Sequence, residues 1–256
     1  MEKREETTMM KSAMTGVLAA GLAAVAAGGE WRDVFTAPDG REVEIECIKH
    51  ACVRIRWGEK EIQVDPVGTA VEPATDYAGF PKADLVLVTH GHFDHLDASA
   101  VEALKGEGTE LVGSKEVVSA LGWGKALGNG ERFAAKCGAE VEAVAAYNTT
   151  PGHLQFHPKG RDNGYVLDLG GLRVYVAGDT EDIPEMDALE GIDIAFLPCN
   201  QPYTMTLEQA ASAARRIAPK VLFPYHCGGT PVERLPEMLA GTGMDVRVRP
   251  AFGSGR

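Results

Sequence analysis

Thr89-His90-Gly91-His92-Phe93-Asp94-His95 follows directly on the apolar run Leu85-Val86-Leu87-Val88. The run reads as a short buried strand, so three imidazoles and a carboxylate are delivered together at its end. Side chains alternate along extended backbone, which sends His90 and His92 to the same side while Gly91 leaves the backbone between them uncrowded. Asp94 and His95 lie past the turn, where they can serve a neighbouring ion. This is more than one four-coordinate metal takes from so short a loop. Two divalent cations are therefore expected. Neutral imidazole and carboxylate suit zinc first, then manganese or iron, over magnesium or calcium.

His90-Gly91-His92-Phe93-Asp94-His95 resembles the H-x-H-x-D-H signature of the metallo-β-lactamase-fold hydrolases. The resemblance implies an α/β fold, a four-layer αββα sandwich with two sheets face to face and helices outside. It also implies that a third histidine, a bridging aspartate and a last histidine follow in that order. Residues 172–180 read as a strand ending in Gly178-Asp179-Thr180, and the two oxygens of a carboxylate at Asp179 can hold cations about 3.5–4 Å apart. Residues 219–226 read as a buried strand ending in His226.

The third histidine has three candidates. Ala146-Tyr147-Asn148 places Asn148 where many relatives carry a metal-binding His. Thr150-Pro151-Gly152-His153 resembles a turn of glyoxalase-type members. Phe156-His157-Pro158-Lys159-Gly160, together with Ala146-Tyr147-Asn148 and Asn163-Gly164-Tyr165-Val166, resembles a branch related to ascorbate-6-phosphate lactonase-like hydrolases. The longer match favours His157. The resemblance then implies a first ion on His90, His92, His157 and Asp179, and a second on Asp94, His95, Asp179 and His226. Asp94 and Asp179 double as the catalytic carboxylates. β-Lactamases of this fold generally carry Cys or Ser at the place of Asp179, which argues against antibiotic hydrolysis.

Upstream, His50-Ala51 and Asp65-Pro66 resemble an early pattern of the same family. Asp65 is expected to brace the metal loop by hydrogen bonds instead of binding metal. His50 has two readings, a strand-end histidine packed near the surface or a residue on the rim of the active site. Lys159, Asn163, Tyr203 and Tyr225 are candidates to orient substrate. Cys227 adjoins His226, but adjacency in sequence alone does not make it a ligand.

Residues 43–48 and 52–57 alternate apolar with polar, as antiparallel strands do, and residues 58–60 read as a turn into a third strand. Asp97 can cap a helix over 99–104, a short strand over 111–113 leads into a helix near 116–121, and the element order starts again at the strand 141–147. Thr206 and Gln209 form a capping box for a helix whose apolar side is Leu207, Ala210, Ala214 and Ile217.

At 256 residues and 45% hydrophobic content the chain can bury a sizeable core. Its net charge of -12 and pI near 5.1 repel phosphate backbones, and no basic patch offsets them, so nucleic acid is not an expected partner. A small-molecule substrate is. The apolar, Ala-rich run 13–27 behind Lys11, with Ala24-Val25-Ala26 in small-x-small form, reads as a signal peptide. Residues 1–29 would then be leader and linker, 30–256 the hydrolase domain, and the mature protein exported; without cleavage it would be cytoplasmic. The run is too short and too rich in Gly and Ala for a stable membrane span. The five cysteines are scattered without a C-x-x-C, so no pairing is legible. The expected activity is metal-dependent hydrolysis of a lactone or ester, with a phosphodiesterase as the second enzyme reading and a non-catalytic metal-binding sensor as the rival from another class.

Overall fold

The computed structural model describes residues 31–253. The leader reading lies outside them. Two seven-stranded sheets, each ordered strictly along the chain, carry the fold. The first contains β1 (Trp31–Thr36), β2 (Glu42–Lys49), β3 (Cys52–Trp57), β4 (Lys60–Val64), β5 (Leu85–Val88), β6 (Glu110–Gly113) and β7 (Lys125–Ala126). The second contains β8 (Arg132–Ala134), β9 (Glu140–Ala146), β10 (Asp162–Leu169), β11 (Leu172–Val176), β12 (Ile194–Pro198), β13 (Val221–Tyr225) and β14 (Asp245–Val246). In each sheet the first four strands pair antiparallel and the later ones parallel. The second half therefore starts at β8, earlier than the expected strand at 141, because β8 is too short to show a period.

The core lies between the sheets. Val43, Ile45, Val53, Ile55, Ile62, Val64, Leu85 and Leu87 of the first meet Val141, Ala143, Tyr165, Leu167, Val174, Val176, Phe196 and Phe223 of the second. Opposite faces of the parallel strands bury against helices. Val86, Val88 and Leu111 pack on α1 (Ala98–Leu104) and α2 (Lys115–Leu121), and Tyr175, Ala195, Leu197 and Leu222 on α3 (Leu207–Ile217) and α4 (Leu235–Met238). This is the expected αββα sandwich. The outer face of the antiparallel strands instead carries a charge ladder, in which Arg56 meets Glu44 and Arg54 meets Glu46 and Glu61. Alternation of Glu and Arg with apolar residues in β2 and β3 is the pattern a sheet with one wet face requires.

The expected caps form. Asp97 accepts from Ser99 N and Ala100 N at the start of α1, and Thr206 and Gln209 close both bonds of a capping box on α3. Among the described residues no helix is long and apolar enough to cross a membrane, and all five cysteines are free and buried. Burial pushes the Cys227 thiol well up, the reverse of what a metal-binding thiolate needs.

Candidate metal centre

The parallel strands β5 and β13, and the antiparallel β9 and β11, all end at one rim of the sandwich, and the loops leaving them converge there. Within β5 four apolar residues are fully buried, so the chain emerges at Thr89 with no freedom to shift register. His90, His92, His157 and Asp179 form one group whose ligand atoms lie within 4.8 Å of one another; His50, Asp94, His95 and His226 form another.

In the first group His92 Nδ1 stands 3.1 Å from His90 Nε2 and 3.2 Å from His157 Nε2. Asp179 Oδ2 lies 3.3 Å from His157 Nε2 and 3.9 Å from His90 Nε2. In the second, His226 Nε2 is 3.4 Å from both Asp94 Oδ2 and Asp179 Oδ2, and His95 Nε2 is 3.3 Å from Asp179 Oδ1. Four donors arranged tetrahedrally around zinc at ~2.0–2.1 Å stand about 3.3 Å apart, so both sets have the spacing that such an ion requires. Several of these converging buried atoms have no hydrogen-bond partner within the chain: His95 Nε2, Asp179 Oδ1 and His226 Nε2. Buried polar atoms are rarely left so, and a cation satisfies them. The residues present fit a pair of divalent cations with Asp179 between the two sets.

The tautomers are fixed from behind. Asp65, fully buried, accepts from Thr89 N and Oγ1 and from His95 Nδ1, each at 2.8 Å, which turns His95 Nε2 toward the centre. Thr89 Oγ1, having spent its proton on Asp65, can accept from His90 Nδ1 at 3.0 Å. Asn148 is not among the converging ligand atoms. Its Nδ2 donates to Glu181 Oε1 and to the Tyr203 carbonyl, so its Oδ1 must face His157 Nδ1, at 2.6 Å. That leaves His157 Nε2 for the centre. His153 stands apart from both groups, with Nδ1 3.6 Å from Glu181 Oε1.

Glu181 was not legible as a functional residue. It is fully buried and takes the backbone N–H and hydroxyl of both Thr149 and Thr150, at 2.7 to 3.0 Å, on one oxygen. Burial works to raise its pKa, but these bonds and that from Asn148 outweigh it and draw the carboxyl down to about 2. The signal was its place directly after Gly178-Asp179-Thr180.

His50 resolves to the site. It is buried, its Nε2 lies 3.1 Å from Asp94 Oδ2, and its ring centroid is 3.9 Å from that of His226. Burial first, then His226, lowers its pKa to about 4, so it is neutral there. Burial likewise holds the His90 imidazole well below its ordinary range, helped by His95. His95 behaves oppositely: burial opposes its proton, yet Asp179 and Asp65 on either side raise it well above the ordinary value. Burial would raise the Asp179 carboxyl as well, but His226 and His95 hold it well below the carboxylate range. A cation bound beside His95 and Asp179 would displace that proton.

His50, Asp65 and His226 share a left-handed backbone, with φ of 47°, 45° and 49°. At Gly178, φ is 65° and an added Cβ would stand 2.7 Å from the Asn163 carbonyl oxygen, so only glycine lets the strand deliver Asp179 this close to β10.

The four proposed orienting residues separate. Tyr203 is 45% exposed and its carbonyl lies 3.2 Å from His157 Nδ1. Asn163 and Tyr225 are buried in the scaffold, bonding Leu127 O and Gly178 O. Lys159 meets Glu185 at 2.7 Å and lines, with Tyr175 and Met186, a cavity of about 390 Å³ that none of the ligand histidines reaches. Arg161, which sequence reading passed over, is nearer the centre: its Nη2 is 3.4 Å from His92 Nε2, and it is held by Asp162 and the Phe156 carbonyl.

Residues 44–226 match the family model described as the beta-lactamase superfamily domain. A UPF0173 metal-dependent hydrolase of Thermus thermophilus is 31% identical over 201 residues, spanning 72% of this chain and 83% of that one. Another, of Methanopyrus kandleri, is 33% identical and spans 77% of this chain and 95% of its own. A crystal structure of a Parabacteroides distasonis protein assigned to the metal-dependent hydrolases superposes with a TM-score of 0.82 at 50% identity, covering 86% of this chain and 98% of that one. Igni18, a metallo hydrolase of Ignicoccus hospitalis, shares the fold at a TM-score of 0.68 and 24% identity over 84% of this chain and 96% of its own.

Proposed function

The chain belongs to the beta-lactamase superfamily as a metal-dependent hydrolase of the metallo-β-lactamase fold, and on that premise we propose that it uses two divalent cations to hydrolyse a small lactone or ester. The observation that carries the reading is Asp179, whose Oδ2 stands 3.3 Å from His157 Nε2 of the first set and 3.4 Å from His226 Nε2 of the second, with Oδ1 turned to His95. His90, His92, His157 and Asp179 would hold the first cation, and Asp94, His95, Asp179 and His226 the second. His50 hydrogen-bonds Asp94 and fixes its carboxylate.

When bound, such a pair supplies a hydroxide nucleophile near neutral pH and positive charge for the oxyanion that develops. The chain's own residues do the rest. Asp65, Thr89 and Asn148 hold the imidazoles of His95, His90 and His157 in the tautomer that turns Nε2 inward. Asp94, a fifth exposed, is the carboxylate best placed to take a proton from an incoming water and pass it to the leaving oxygen. The cation beside His92, Arg161, is held by the carboxylate of Asp162, which supports a neutral lactone or ester over a phosphodiester.

Elemental analysis of gently purified protein should find about two zinc, manganese or iron ions per chain. On a panel of lactones, acyl esters, an aryl phosphodiester and a β-lactam, kcat/KM should be largest for a lactone or ester and negligible for the β-lactam. A dominant phosphodiesterase rate would replace the ester reading. Metal-loaded protein inert on the whole panel would point to a metal-binding sensor.

A further inference from the structure

We propose that the group flanking the scissile bond is an apolar acyl chain, seated on Phe93, Leu154, Phe156 and Tyr203 around the mouth of the metal centre. The proposal rests on the hydrolase reading of that centre and names what the reading leaves open.

The mouth can be located from burial. His90, His95, His157, Asp179 and His226 are buried, whereas His92 and Asp94 are partly exposed, so the centre opens on the side of these two. Phe93 stands between them in sequence and is 71% exposed. On the other side of the same opening, the His157 ring lies 4.9 Å from that of His92. The loop leading into His157 carries Leu154, 50% exposed, and Phe156, whose ring packs edge-on against Tyr203 at 5.0 Å. Tyr203 is tied in through its carbonyl, which accepts from Asn148 Nδ2 at 2.8 Å.

Among the described residues the exposed large hydrophobics are Trp31, Val34, Phe93, Leu154 and Tyr203. The last three all lie on loops that carry or brace ligand residues. The other two lie on the edge strand β1. Apolar side chains scattered singly over a surface need no explanation, but a group confined to the entrance of a catalytic centre marks what enters it. The acidic surface offers no field to draw in anions, and Arg161 is already held in a two-pronged pair by Asp162 at 2.8 Å. The occupant is therefore neutral and apolar next to its carbonyl. A straight or branched acyl chain meets that description, and a sugar or a phosphorylated compound does not.

The test is a chain-length series. For p-nitrophenyl esters from acetate to octanoate, kcat/KM of the metal-loaded protein should rise about two- to fourfold per added methylene, since burying one is worth up to ~0.8 kcal/mol. A second readout needs no turnover: calorimetric affinity of straight-chain hydroxamates, from acetohydroxamate to octanohydroxamate, should climb with the same slope. Phe93→Ser and Tyr203→Ser should flatten both slopes while elemental analysis shows the metals retained. Trp31→Ser, outside the mouth, should keep both. If esters are hydrolysed with no dependence on chain length and hydroxamate affinity is equally flat, the apolar seat is overturned and the hydrolase reading stands. If no ester is turned over yet hydroxamate affinity climbs and Phe93→Ser flattens it, the seat stands and ester hydrolysis fails. If sedimentation shows a dimer that Phe93→Ser dissociates, the patch is an interface between copies and the proposal is overturned.

Discussion

His157 and His153 are four positions apart, and the sequence alone could rank them only by length of resemblance. The distinction is physical: Asn148 turns His157 inward, and His153 has no such partner. His157→Ala should therefore remove the first metal and abolish turnover, while His153→Ala should leave the metal content unchanged; elemental analysis of the two variants checks both. Glu181 governs the same device from one residue further back. In Glu181→Gln the amide replaces the oxygen that accepts from Asn148 Nδ2, two donors then face each other, and Asn148 must turn its Oδ1 away from His157. Metal affinity at the first site should fall about 10- to 100-fold, read by competition with a chelator. The same carboxyl has a pH signature. Its folded pKa, about 2, lies below the ordinary 4.5, so its stabilisation is fully present above the latter and lost as pH falls through the former. Acid unfolding of Glu181→Gln followed from pH 5 to pH 2 should show a shallower loss of stability than the parent. That the H-x-H-x-D-H residues, Asp179 and His226 come together could be read from sequence because each follows an apolar strand. Asn148 and Glu181 could not, since a brace is defined by what it touches.

At the scale of elements, the Thr206 and Gln209 capping box was legible because both bonds are local. Thr206→Ala removes the side-chain acceptor for Gln209 N and should lower stability by about 1 kcal/mol in urea melts, with metal content unchanged. Lys49, the last residue of β2, is the contrasting case. Nothing in an alternating strand shows that its ammonium is buried or that it donates to the carbonyls of Gly68, Val71 and Pro73. Burial lowers its pKa, yet it pins the loop that follows Asp65. Such a contact depends on a loop folding back over the strand, which no period in the sequence encodes. The short strands β7, β8 and β14 escaped for the simpler reason that two or three residues carry no pattern.

Over the whole molecule, the first sheet and its loops supply His50, His90, His92, Asp94 and His95, and the second His157, Asp179 and His226. The metal loop is tied across by Asn163 N to Thr89 O at 3.2 Å, and by Tyr165 Oη to Val88 O at 2.9 Å. Metal binding is therefore expected to couple to the docking of the two sheets. Stripping the ions with a chelator should lower Tm by about 5–10 °C, the shift expected when a ligand near a hundredfold over its Kd is withdrawn from a domain of this size. Calorimetry with and without chelator checks it, and near-ultraviolet circular dichroism should change more than the far-ultraviolet signal.

The left-handed backbone at His50, Asp65 and His226 has a consequence for how this sequence can evolve. A non-glycine residue in that region gives up roughly 1–2 kcal/mol, and of the four that do so among the described residues three stand at the metal centre. Glycine at any of the three would relax the main chain and remove the imidazole or carboxylate that the centre depends on. In the metal-free chain His226, whose buried ring nitrogens have no hydrogen-bond partner, would drift toward glycine under selection for stability, whereas selection for the centre holds against it. A library screened for thermal tolerance in the presence of a chelator should therefore recover glycine at position 226, marking a stability ceiling that the metal-bound protein does not cross.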